Sequence, residues 1–167
     1  MRTLTAIALA VSPFLALVAC TPLDETYQVW SYSESYGLCQ GYCNETVVVN
    51  GGQVLYNAFA SGIDEPEIDN TGELTQAGTD ALRAAAIDRD VEFDDVYGCP
   101  DCNDGGAAEL ELILDDETQV VQYPIGDAPE DLEPVDALFR ELLDTLATCG
   151  QSDLVTVDDG CMPLGGE

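Results

Sequence analysis

Apolar and polar residues alternate over residues 108–114, with Leu110, Leu112 and Leu114 on one side and Glu109 and Glu111 on the other. A period of two marks a strand with one buried face. Asp115-Asp116-Glu117 then turns the chain, and residues 118–125 return to close a hairpin. An earlier stretch follows the same plan. Residues 46–49 are a β-branched run, Asn50-Gly51-Gly52 is a strong hairpin turn, and residues 53–59 come back. Val29, Trp30 and Tyr32 place a first strand over residues 27–33. Between these strands, residues 34–43 form a cysteine-bearing loop and residues 60–73 (ASGIDEPEIDNTGE) an acidic one.

Helical spacing is clearest over residues 129–149. There Leu132, Val135, Leu138, Phe139, Leu142, Leu143 and Leu146 form one stripe, and Gly150 is a natural stop. Such a stripe is core rather than a groove for a partner. A shorter helix over residues 76–87 is capped by Thr75 and turns Leu82, Ala85, Ala86 and Ala81 inward. Gly78 weakens it by about 1 kcal/mol relative to alanine. Val91, Phe93, Val96 and Tyr97 approach the core as an irregular segment, and residues 154–157 form a last strand. The expected architecture is α+β: an antiparallel sheet of four to six strands with two helices packed on one face, stapled by disulfides. The two halves share a hairpin-then-helix order without a residue-level repeat.

Composition narrows the chemistry. The 167 residues include 33 Asp and Glu against four basic residues, Arg2, Arg83, Arg89 and Arg140, for a formal charge of −29. Length suits a single domain with a real core, and an apolar content of 46% separates the chain from disordered acidic tails. This balance repels nucleic acid and anionic lipid surfaces and favours basic proteins, cationic ligands and solubility. With no histidine and no lysine, the chain has no Ser-His-Asp or Cys-His arrangement, no HExxH, no Schiff base and no P-loop. Carboxylates are so abundant that no particular pair stands out as a glycosidase pair. No cofactor is expected. Calcium is the metal these side chains suit, at Asp64-Glu65-Pro66-Glu67-Ile68-Asp69-Asn70 or Asp101-Cys102-Asn103-Asp104, although neither follows the EF-hand pattern.

The cysteines are Cys20, Cys39, Cys43, Cys99, Cys102, Cys149 and Cys161. Setting Cys20 aside leaves an even number, and disulfides are the default in an oxidising compartment. Local bridges Cys39–Cys43, Cys99–Cys102 and Cys149–Cys161 are one set; bridges crossing between the two close pairs are another. A zinc site on Cys39, Cys43, Cys99 and Cys102 and a redox site at Cys99-Pro100-Asp101-Cys102 are the chemical alternatives. Asp94, Asp95, Asp101 and Asp104 work against the redox site, since negative neighbours disfavour a thiolate.

Residues 1–20 read MRTLTAIALAVSPFLALVAC. Arg2 leads an apolar run shorter than the roughly 20 residues that span a membrane, as in a secretory signal. The ending Leu17-Val18-Ala19-Cys20 resembles a bacterial lipoprotein lipobox. The resemblance implies cleavage before Cys20, acylation of that residue (palmitate among the chains), and a membrane partner reached through the lipid. Thr21 in place of Asp implies the outer membrane of a Gram-negative bacterium. The expected organisation is a signal peptide over 1–19, a lipidated tether over 20–26, one domain over 27–161 and a tail over 162–167. Further on, Cys39-Gln40-Gly41-Tyr42-Cys43 and Gly52-Gln53-Val54-Leu55-Tyr56 resemble an uncharacterised C-x-G-x-C lipoprotein domain family, with Asn44 where that family usually has Pro. The element order is also similar to that of emfourin-like inhibitors of thermolysin-type metallopeptidases, at the level of fold alone.

The expected role is a lipid-anchored, non-enzymatic domain of the cell envelope (periplasm or outer membrane) that binds a basic protein or a peptidase, or serves structurally. The alternatives are a thiol-redox or zinc-dependent enzyme centred on Cys99 and Cys102, and a calcium-binding acidic surface lipoprotein.

Overall fold

A computed structural model describes residues 26–61, 66–102, 105–115 and 117–165. The signal segment 1–19 and Cys20 lie outside the described residues. In chain order the elements are β1 (Thr26–Ser35), β2 (Gly41–Asn50), β3 (Gln53–Ser61), β4 (Ile68–Leu74), α1 (Gln76–Ala84), β5 (Ile87–Asp88), β6 (Ala107–Leu114), β7 (Glu117–Pro124), α2 (Glu133–Thr148) and β8 (Val155–Val157). The strands form one antiparallel sheet in the order β7-β6-β1-β2-β3-β4-β8, with β5 paired to the start of β1. Gly51 and Gly52 both hold positive φ in the β2–β3 turn, the backbone that a two-residue hairpin requires.

The α+β class and the disulfides agree with the expectation; the strand number does not. The sheet exceeds four to six strands, chiefly because much of the expected acidic loop is β4. Its inward residues are Ile68, Asn70 and Gly72, and only one of these is apolar, so the alternation is invisible to a hydrophobicity reading. β2 also begins earlier than expected, which takes Cys43 out of the loop and into a strand.

One face of the sheet carries the core. Tyr32, Val47, Val54, Tyr56, Leu110, Leu112, Val121 and Tyr123 are buried there. α2 lays Val135, Phe139, Leu142 and Leu146 into the same cluster, and the Tyr32 and Phe139 rings lie 6.3 Å apart. The expected stripe of α2 is buried throughout, but its ends shift. Residues 129–132 form a turn in which Leu132 N and Glu133 N donate to Pro129 O, and Pro134 stands in the first turn of the helix. At the other end Cys149, not Gly150, takes the left-handed position, with φ 52°.

α1 is shorter than expected and sits beside α2 and β4. Ala81, Leu82 and Ala85 are half-buried, Ala86 is exposed, and the buried residue is Gly78. Thr75 caps the helix, its Oγ1 accepting from Gly78 N at 3.1 Å. A β-carbon at position 78 would collide with the Leu154 carbonyl, so the glycine that lowers helix propensity is what lets α1 touch the segment leading into β8. Gly78→Ala should therefore destabilise the domain by about 2 kcal/mol despite its better propensity, seen as a lower urea midpoint.

The other face of the sheet is open among the described residues. Cross-strand register sets Val120, Glu111, Ser31, Val48, Leu55 and Thr71 in one row. The next row runs from Gln122 through Glu109, Ser33, Thr46 and Asn57 to Asp69.

Candidate functional site

The six cysteines within the described residues pair locally as Cys39–Cys43, Cys99–Cys102 and Cys149–Cys161. The first two loops meet at one end of the sheet. Gly37 N donates to Asp101 Oδ1 at 3.2 Å, and Gly106, with φ 82°, lies against the Ser35 carbonyl and the Tyr36 ring with no space for a β-carbon. Proximity does not gather the four sulfurs into one set; each pair closes on itself. Cys99 and Cys102 are both exposed, and the third bridge pins the C-terminal tail beside the end of α2.

The two oxygen-rich stretches are engaged in the fold where they are described. Asn57 Nδ2 donates to Glu67 Oε1 and to Asp69 Oδ1, while Asn70 turns into the core. Asp64, Glu65, Asn103 and Asp104 lie outside the described residues. Among the described residues, no three or more His, Cys, Asp or Glu side chains are arranged to hold a metal ion.

A cluster of buried polar side chains lies between the inner face of the sheet and α2. Glu34 of β1 and Glu45 of β2 stand directly opposite each other, and Asp136 of α2 lies over the same face. Their exposures are 6%, 9% and 7%, far below what carboxylates usually accept. Tyrosines surround them. Tyr32 Oη donates to Glu34 Oε1 at 2.6 Å and Tyr36 Oη to Glu34 Oε2 at 2.8 Å. Tyr56 Oη donates to Glu45 Oε2 at 2.8 Å and Tyr123 Oη to Asp136 Oδ1 at 2.9 Å. Arg140 Nε lies 3.2 Å from Glu34 Oε1 and is the cation of the cluster; Arg83 and Arg89 pair elsewhere, with Asp80 and Asp115.

Burial is the main electrostatic cause throughout. It raises the pKa of Glu45, with the Glu34 and Asp144 charges adding and the Tyr56 hydrogen bond opposing. It raises that of Asp136, with Tyr123 and Arg140 opposing. It lifts the Tyr32, Tyr36, Tyr56 and Tyr123 hydroxyls above the ordinary tyrosine value, and their carboxylate partners add to this, so they remain donors. Partial desolvation works against the Arg140 charge, but Tyr32, Glu34, Asp136 and Asp144 outweigh it and hold its pKa above the usual value. Hydrogen bonds from tyrosines to carboxylates and the Arg140–Glu34 ion pair make the arrangement a clamp between helix and sheet. A depression of about 870 Å³ lies elsewhere, bordered by Glu141, Asp153, Asp158, Asp159 and the Cys149–Cys161 bridge.

The clue in the sequence was phase. Glu34 shares the parity of Tyr32, Glu45 that of Val47 and Val49, and Asp136 and Arg140 sit one turn apart beside Phe139. An acid in the apolar phase of a strand points at a buried network, and only a partner assignment from the fold completes it. No protein-family model matches this chain, and no curated protein matches it in sequence.

Proposed function

We propose that the chain is a lipid-anchored domain of the cell envelope with a non-enzymatic binding or structural role, acylated at Cys20 and held by the short tether 20–26. The outer membrane of a Gram-negative bacterium is the expected site, and a basic protein or a peptidase the expected partner. The observation that carries this reading is the Leu17-Val18-Ala19-Cys20 ending placed ahead of a domain whose remaining cysteines all form short-loop disulfides. Disulfides of this kind belong to compartments outside the reducing cytosol, which is where such a signal sends a chain. Two acyl chains or more are enough for stable anchoring, because each buried CH₂ contributes about 0.8 kcal/mol. The side chains of the buried clamp are spent on one another, which favours a structural duty for them.

A second reading, thiol exchange at Cys99–Cys102, is favoured by the exposure of that pair. One experiment addresses the anchor and a resting Cys99–Cys102 dithiol. The full chain purified from membranes is denatured, alkylated without reductant and weighed intact. The expected result is no alkylated cysteine and a mass that places lipid on Cys20 with residues 1–19 removed. An alkylated Cys20 would sink the anchor, and alkylation at Cys99 and Cys102 would move the thiol reading to first place.

A further inference from the structure

In a chain with 33 acidic residues, the outward positions of β1, β2 and β3 carry no charge at all. Ser31 and Ser33 lie across from Val48 and Thr46, which in turn lie across from Leu55 and Asn57. Phe59 extends the panel at 54% exposure, Leu55 is 40% exposed and Trp30 37%. The acids that these central strands do contain point the opposite way, since Glu34 and Glu45 are buried under α2. On either side of the panel the charge returns. β6 turns Glu109 and Glu111 outward, and β4 turns Asp69 and Glu73 outward.

An open sheet face in water is normally kept soluble and unsociable by charged side chains, and this chain has many to place there. A centre depleted of charge, with aromatic and aliphatic side chains exposed and a charged rim, is the composition of a protein interface. We propose that this face docks a protein whose contact surface is uncharged at its centre and basic along both flanks. Charge complementarity selects that occupant. A second copy of this chain laid face to face would bring carboxylate flanks onto carboxylate flanks, whereas Lys and Arg flanks would meet Glu109 and Glu111 on one side and Asp69 and Glu73 on the other. The inference rests on the reading of the chain as a binding domain and adds the surface and the partner's chemistry.

Site-specific photocross-linking in cells that make the full chain tests it. Benzoylphenylalanine replaces Thr46 or Leu55 on the panel, and Ala84 or Ala137 on the exposed sides of α1 and α2 as controls. The expected result is one cross-linked protein from both panel positions, about tenfold above the controls, with Lys or Arg flanking the linked peptide. The double substitution Glu109→Gln and Glu111→Gln should lower that yield several-fold without altering the disulfides, as should about 0.5 M salt. Cross-links to a second copy of the chain, to its own residues 20–25, or to a partner without basic flanks overturn the proposal. Cross-links from Ala84 or Ala137 alone overturn this face and leave a binding role standing. No cross-link at any position overturns both.

Discussion

Arg140→Gln should lower stability at pH 7 by about 2 kcal/mol, and part of that loss should return on acidification. Arg140 is the cation on a cluster that holds Glu34, Glu45 and Asp136 out of water, with Asp144 beside it. Removing one partner of a buried ion pair leaves an uncompensated charge, and that costs more than the pair contributes. The Arg140 side chain is 40% exposed, so solvent screening puts the expected loss below what a fully buried pair shows. Four tyrosine hydroxyls remain to hold the carboxylates, which is why the variant should still fold.

The direction of the pH response follows from Glu45 and Asp136. Both have folded pKa values raised above the ordinary 4.5 and 3.8, because burial disfavours their charged forms. A carboxyl with a raised folded pKa binds protons more readily in the native state than in the unfolded chain, so stability rises as pH falls from neutrality. The contribution is complete below the unfolded values and is lost as pH rises through the folded ones. Loss of Arg140 removes a charge that holds the Asp136 pKa down, so the variant should have the steeper slope. Glu45→Gln should flatten it. The overall charge of −29 acts in the same direction by self-repulsion, and salt separates the two. About 1 M NaCl screens the surface, while the buried cluster is screened much less. Melting temperatures from pH 4 to 8 in low and high salt, for wild type, Arg140→Gln and Glu45→Gln, check the assignment. A slope that vanishes in salt, or survives Glu45→Gln unchanged, would move its origin to the surface.

How much of this was legible before the fold was known depends on what each residue does. Leu110, Leu112, Phe139, Leu142 and Leu146 are legible because periodicity and hydrophobicity agree, and they place β6 and α2 correctly. β4 was hidden because its inward positions are Asn70 and Gly72 as well as Ile68; the pattern of burial is strict, but the residues that follow it are not apolar. Gly78 looks like a defect of α1 in the sequence, since propensity is local and the Leu154 carbonyl that excludes a side chain comes from the far end of the chain. The clamp is hidden for a different reason. In a chain so rich in acids, Glu34, Glu45 and Asp136 look like any others, and what distinguishes them is a tyrosine or arginine brought from another element. The cysteines occupied the middle ground: spacing suggested the local bridges, but only the arrangement of the loops decided among pairings.

Asn70→Asp should cost about 4 kcal/mol at pH 7, more than Asn70→Ala at about 3 kcal/mol. Asn70 is 2% exposed on β4 and ties three parts of the chain together. Its Nδ2 donates to Leu146 O at 2.8 Å, near the end of α2, and to Met162 O at 2.9 Å in the tail. Its Oδ1 accepts from Met162 N at 2.8 Å. The tail is held further by Leu164 N donating to Ala147 O and by the Cys149–Cys161 bridge, so Asn70 seats the tail within a closure the chain makes anyway. Alanine forfeits these bonds, and water can reach part of what is left because Met162 is half-exposed. Aspartate keeps the bond from Met162 N but removes both donors and sets a carboxylate against two carbonyl oxygens, so repulsion adds to the loss. Protonation restores one donor; the aspartate variant should therefore recover as pH falls, while the alanine variant should not recover beyond the wild-type trend. Urea denaturation of the two variants at pH 7 and pH 5 distinguishes a buried hydrogen-bonding hub from a merely well-packed residue. A hub predicts Asp below Ala at pH 7 and the gap closing at pH 5. Equal losses at both pH values would mean that water already reaches the Leu146 and Met162 carbonyls, and that the disulfide and the Leu164–Ala147 bond hold the tail on α2 without Asn70.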